Sequence, residues 1–82
     1  MPNQTTTHLD PDAVETLSAL CEATRGRPVA VAHSEIARCS SLPVDAIRQQ
    51  VSQLVGARYA RRGPAGVGVT VTPAGLQVAR LL

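Results

Sequence analysis

Residues 33–62 read HSEIARCSSLPVDAIRQQVSQLVGARYARR, and the fold turns on how this stretch divides. Its centre, residues 43–57, carries Val44, Ile47, Val51 and Leu54 at spacings of three, four and three. That is one apolar stripe along a helix. The opposite side shows Asp45, Arg48, Gln49, Ser52 and Gln53. It is polar, yet it is not the Glu/Lys face of an ordinary solvated helix. Just upstream, Ile36, Ala37 and Cys39 follow His33-Ser34-Glu35. A shorter helix is expected to open there, capped by Ser34 or by His33 before it. Ser40, Ser41 and Leu42 make the turn, and Pro43 suits the first turn of the next helix. Two helices across a tight turn, the second amphipathic with Arg and Gln outward, form a helix-turn-helix.

Downstream, residues 58–62 and 67–71 are extended segments joined by Gly63-Pro64-Ala65-Gly66, which predicts a β-hairpin. Val67, Val69 and Val71 alternate with Gly68 and Thr70, so one buried face is expected. Thr72 is placed to cap a last helix with Pro73 at its first position. Leu76, Val78, Ala79, Leu81 and Leu82 supply that helix's apolar side. Upstream, Val29-Ala30-Val31 reads as a short strand. A first helix starts at Asp10, with Pro11 at its first position and Asp12 at the positive end of the dipole. Val14, Leu17, Leu20 and Cys21 give it an apolar face, and Arg25-Gly26 ends it. Residues 1–9 read as a disordered tail, and residues 10–82 as one domain. The expected fold is α+β and mostly helical, with a three-helix core, a hairpin wing and a short closing helix.

Composition narrows the class. With 82 residues, no Phe, no Trp and Tyr59 as the one aromatic, the core must be Val, Ile, Leu and Ala. No apolar run approaches the roughly 20 residues that span a bilayer. Met1 to Asp10 lacks the basic start and apolar stretch of a signal peptide, so a cytoplasmic location is expected. Cys21 and Cys39 fall in separate helices and read as two reduced thiols. With His8 and His33 they make no tight metal-ligand pair. No nucleophile elbow, Walker loop or HExxH motif occurs, so neither catalysis nor a cofactor is implied. Residues 63–68 match a phosphate loop only in glycine content. They lack the strand-to-helix context and a Lys, and read as the tip of the wing.

The formal net charge of +2 is unevenly spread. Residues 1–40 balance to −2, whereas residues 41–82 hold five Arg against Asp45 and balance to +4. One basic half on a small domain is the footprint of a nucleic-acid binder. Every basic side chain is Arg, the better fork for phosphates and guanine edges.

Three motifs in register carry a resemblance. Ser34-Glu35-Ile36-Ala37 resembles an "S-E-I/L-A" helix opening. Leu42-Pro43-Val44-Asp45-Ala46-Ile47, running through Leu54 to Arg58-Tyr59-Ala60-Arg61-Arg62, resembles a recognition helix followed by "L-x-x-x-G-hydrophobic-hydrophobic-x-R". Val71-Thr72-Pro73-Ala74-Gly75 is similar to "L-T-P-x-G". Together they resemble the winged helix-turn-helix regulators of the MarR-like bacterial type, over about residues 12–82. The resemblance implies sequence-specific binding of double-stranded DNA in transcription regulation. Helix 43–57 would enter the major groove, and wing 58–71 would touch the backbone. One departure is Arg58, where the family usually has the glycine that leaves the helix in a left-handed conformation. Either the helix ends earlier, at Gly56, or Arg58 takes a strained backbone. Another is the short closing helix, so the family's dimer mode and effector pocket do not carry over.

The candidate contacts follow. Arg48, Gln49 and Gln53 suit base edges, with Ser52 making a smaller contact. Arg61 and Arg62 suit phosphates or a minor groove, but neighbours in a strand face opposite ways, so at most one should meet DNA. Ser34 and Ser41 can donate to phosphates, although capping alone would explain both. Arg38 fits either role. Asp45 repels phosphate and is better suited to stabilising its helix N-terminus. His33 reads as a capping or surface residue, and Tyr59 as packing beneath the wing. A homodimer is expected through the first and last helices, using some of Leu17, Leu20, Leu76, Val78 and Leu82. The competing reading is a winged-helix protein-interaction module without DNA binding. Its support is the low net charge and Asp45.

Overall fold

A computed structural model describes residues 9–81. The expected tail lies outside the described residues except for Leu9, which is half-buried against the core. Four helices and one hairpin follow in order: α1 (Pro11–Thr24), α2 (His33–Arg38), α3 (Val44–Gly56), β1 (Ala60–Arg62), β2 (Val69–Val71) and α4 (Pro73–Arg80). Helices α1, α2 and α3 pack on one another, and α1 also meets β2 and α4.

The first helix opens with Pro11 in its first turn, as expected, but the Asp10 side chain makes no capping bond. Its buried side is wider than the aliphatic stripe. Ala13, Thr16, Leu17, Leu20 and Thr24 are buried, and Val14 is half-buried. The two threonines enter an apolar core because each hydroxyl is satisfied within the helix. Thr16 donates to the Asp12 carbonyl at 2.7 Å and Thr24 to the Leu20 carbonyl at 2.9 Å. The helix closes with Gly26 N–H on the Cys21 carbonyl and Arg25 N–H on that of Glu22. This Schellman pattern puts Arg25, ahead of the glycine, in the left-handed region at φ 55°.

The cap of α2 differs from expectation. It is Ala32, whose N–H donates to the Glu35 carboxylate at 3.2 Å. Ser34 therefore lies inside the first turn. Glu35, three residues on, supplies the reciprocal half of a capping box by accepting from the cap residue's own N–H. In α3 the stripe is confirmed: Ile47, Val51 and Leu54 are fully buried, and Val44 is half-buried. Pro43 stands at the cap of α3, and the helix ends at Gly56. Arg58 takes the left-handed turn at φ 68°. Tyr59 N–H on the Leu54 carbonyl and Arg58 N–H on that of Val55 close a second Schellman pattern.

The hairpin pairs Ala60 with Val71, Arg61 with Thr70 and Arg62 with Val69, antiparallel. A short turn at Pro64–Gly66 joins the strands, with Ala65 left-handed at φ 58°. Gly63 is required beside it, because a Cβ there would lie 2.1 Å from the Val67 carbonyl oxygen. Val69 and Val71 are buried as expected, but Val67 is 71% exposed. The alternation fails there because Val67 still belongs to the turn, and pairing resumes only at Val69. The expected strand at Val29–Val31 shrinks to one residue. Val31 and Val69 exchange two backbone bonds of 2.8 Å, and Val29 is exposed.

The core joins Leu17 and Leu20 of α1, Ile36 of α2, the α3 stripe, and Ala60, Val69 and Val71 of the hairpin. Leu17 and Leu20 are fully buried there. This removes both from the five side chains among which a subunit contact was expected. With no Phe or Trp available, the core consumes every large aliphatic side chain that α1 turns inward. Burying each contributes roughly 1.5–3 kcal/mol relative to exposure. Tyr59 is half-buried against this core. Cys21 and Cys39 are free thiols, each half-buried rather than enclosed. The architecture is a small α+β winged helix, with the α2–α3 turn forming the helix-turn-helix and the β1–β2 hairpin the wing.

Candidate nucleic-acid interface

Burial of Ile47, Val51 and Leu54 fixes the rotation of α3, and that rotation decides what it presents outward. Asp45, Arg48, Gln49, Ser52 and Gln53 are all exposed. Residues four apart on a helix are neighbours, so this surface is built of two rows. Asp45, Gln49 and Gln53 form one, and Arg48 and Ser52 form the other. Asp45 stands in the first turn, where its charge favours the helix dipole.

The wing joins the Arg48–Ser52 row. Arg62 Nη2 donates to Ser52 Oγ at 3.4 Å, and Ser52 Oγ donates to the Arg48 carbonyl at 3.4 Å. Both bonds are long, so they orient the groups without locking them. Alternation along β1 sends Arg61 out of the opposite face of the hairpin. Of the two wing arginines, the structure brings only Arg62 to the α3 surface.

His33 belongs to the same cluster. Burial, and after it the charges of Arg48 and Arg62, hold its imidazole below the ordinary value. The charges of Arg48 on α3 and Arg62 on β1 thus act on the first residue of α2. The sequence suggested only a capping or surface role for His33. Its proximity to Arg48 and Arg62 depends on how α2, α3 and the wing dock, and no local pattern encodes that.

The other candidates fall elsewhere. Ser34 is exposed in the first turn of α2. Arg38 lines a cleft of about 280 Å³ with Glu22, Arg25, Glu35 and Cys39, so it shares that surface with two carboxylates. Ser41 is held by α1: its backbone N–H and its hydroxyl both donate to Glu15 Oε2 at 2.6 Å. Those two bonds hold the Glu15 carboxyl below its ordinary value. They also occupy the hydroxyl proton that a phosphate would need.

The junction of wing and closing helix explains the Thr72-Pro73-Ala74-Gly75 motif. Thr72 Oγ1 donates to the Arg58 carbonyl at 2.7 Å and accepts from Gly75 N–H at 3.1 Å. Thr72 N–H donates to the Tyr59 carbonyl at 3.2 Å. Gly75 is buried against that same carbonyl, and a Cβ would sit 2.1 Å from its oxygen. One threonine thus ties the end of α3, the start of β1 and the cap of α4 together, and fixes the wing relative to α3.

Among the described residues, no helix is long and apolar enough to cross a membrane. No family model matches the chain. No curated protein matches it. Among solved structures, it is similar to a protein from Ralstonia eutropha JMP134 named a "putative DNA-binding protein", at 26% identity and a TM-score of 0.71. The match covers 90% of this chain and 96% of that one. The two proteins share, almost from end to end, one small α+β winged-helix fold.

Proposed function

We propose that this chain binds double-stranded DNA as a winged helix-turn-helix regulator of transcription. The observation that carries the reading is the outward face of α3. Arg48, Gln49, Ser52 and Gln53 are exposed on a helix whose apolar side is fully engaged, and Arg62 reaches the same face from the wing. In a major groove, Gln49 and Gln53 are suited to adenine edges and Arg48 to guanine or a phosphate. Arg62 and His33 suit the flanking backbone. The similarity to the Ralstonia eutropha protein, named as DNA-binding, supports DNA as the partner. The MarR-like motifs support a bacterial regulator, and the homodimer rests on apolar surface alone. Apolar surface for pairing is offered by α4 and its C-terminal cap, where Leu76 and Val78 are half-buried and Leu81 is 86% exposed.

Affinity for mixed duplex DNA measured against salt concentration tests the reading. Binding should weaken steeply with salt, and Arg48→Ala and Arg62→Gln should each flatten the log-log slope by about 1. Absence of binding at low salt would end the proposal and leave the protein-interaction module in its place.

A further inference from the structure

The side of the hairpin that carries Arg61 has a feature that the α3 surface does not use. An open cleft of about 390 Å³ lies where α3 ends, β1 begins and α4 begins. Val55, Ala60, Pro73 and Ala74 form its apolar walls, and Arg58, Arg61 and Thr72 supply the polar groups. Arg58 and Arg61 are both exposed, and no residue lining the cleft is acidic. The cleft beside Arg38 is a direct contrast, since its two arginines, Arg25 and Arg38, are balanced by Glu22 and Glu35. The first cleft carries two formal positive charges, and the formal charges of the second sum to zero.

Arg58 adds an independent observation. It holds a left-handed backbone at φ 68°, a conformation that an L side chain adopts at a cost and glycine adopts freely. The Thr72 hydroxyl on its carbonyl, at 2.7 Å, pins it there. Nothing in the backbone requires a side chain at this position, yet the side chain present is one wall of the cleft. Arg25 shares that strain; what sets Arg58 apart is that its side chain lines a cleft with no acid.

We infer that the Arg58–Arg61 cleft binds a small organic phosphate monoester, independently of the α3 surface. Two guanidinium groups call for about two negative charges, which a phosphate monoester carries near neutral pH and a single carboxylate does not. The first turn of α4 contributes its positive dipole end, with Pro73 and Ala74 in the lining. The apolar walls fit a compact organic body, and the volume is at the small end of ligand pockets. Arg61 leaves the hairpin on the face opposite Arg62, so the two guanidinium groups of the cleft are not those of the α3 surface, although Val55 adjoins Ser52 at the end of α3.

A ¹H–¹⁵N NMR titration of the DNA-free protein with phenyl phosphate tests this, with inorganic phosphate and phenol as parallel arms. Saturable shifts are expected at Arg58, Ala60, Arg61 and Ala74, with inorganic phosphate binding more weakly and phenol not binding. Arg58→Gly and Arg61→Gln should each weaken phenyl phosphate roughly tenfold, the loss expected for one charge-assisted contact. Arg58→Gly keeps the fold, because glycine prefers this backbone conformation. Arg48→Ala should leave the titration unchanged. The inference is overturned by shifts centred on Arg48 and Arg62, by shifts insensitive to both cleft variants, or by equal binding of phenol. Loss of DNA binding in Arg48→Ala bears on the other surface, so the two proposals fail separately.

Discussion

Three residues show how single positions set this fold and its surface. Arg25 ends α1 with φ 55°, where glycine would be unstrained. Arg25→Gly should raise stability by roughly 0.5–1 kcal/mol, the strain relieved less the added freedom of the unfolded chain. Urea denaturation at equilibrium reads this as a higher midpoint with an unchanged slope. Gly75 is the opposite case. A methyl there meets the backbone oxygen of Tyr59 at 2.1 Å and Val71 Cγ2 at 3.0 Å, and a backbone carbonyl cannot rotate away. Gly75→Ala should therefore destabilise by roughly 1–3 kcal/mol, seen in the same assay as a lower midpoint. His33 links charge to pH. Its folded imidazole binds a proton less readily than in the unfolded chain, so its contribution to stability is complete above the ordinary imidazole value and is lost as pH falls below it. A phosphate docked against Arg48 and Arg62 reverses that bias and favours the protonated ring. DNA affinity should then rise as pH falls from about 8 towards 6, and this pH dependence should flatten in His33→Gln. Fluorescence anisotropy at constant ionic strength measures it, and an unchanged profile in the variant would remove His33 from the interface.

At the scale of elements, the junctions matter more than the elements themselves. The hairpin has only three paired residues on each strand, too few to hold its position alone. Thr72 holds it instead, through the Arg58 carbonyl, the Tyr59 carbonyl and the Gly75 N–H. Thr72→Ala removes both hydroxyl bonds and should cost about 1–2 kcal/mol, whereas Thr72→Ser should recover most of it. A thermal melt of the two variants beside the parent checks the order. The α1 link to the helix-turn-helix is of the same kind, since Glu15 clamps the turn at Ser41. Protonating Glu15 loosens it, so this contribution persists above the ordinary carboxylate value and fades as pH falls through the lowered one.

At the scale of the whole molecule, charge is sorted by face. Arg48, Arg62 and His33 converge on the α3 surface. Arg58 and Arg61 take the other side of the wing, and Arg25 and Arg38 are balanced by acids. The formal net charge of +2 conceals this, because attraction of a polyanion depends on the local field rather than the total. Much of the architecture was legible beforehand. The three-four-three stripe of α3, the Gly/Pro turn of the wing and the Thr72–Gly75 motif each rest on local periodicity or on a single backbone requirement. The errors cluster where a residue's fate depends on a distant one. For Ser41, local pattern offered a phosphate contact or a cap, and its bond to Glu15, far away in the chain, was not among the readings. Leu17 and Leu20 looked spare until α2, α3 and the hairpin enclosed them. Val67 looked inward until the turn claimed it.

What the chain specified on its own is therefore the kind and order of its elements, because helix period, capping and turn chemistry act over a few residues. What only the folded arrangement decided is which polar groups share a face. Arg62 meets Ser52 while Arg61 does not, and His33 comes to lie beside two arginines. That choice depends on how hairpin and helices dock, and docking is set by shape complementarity across the whole core.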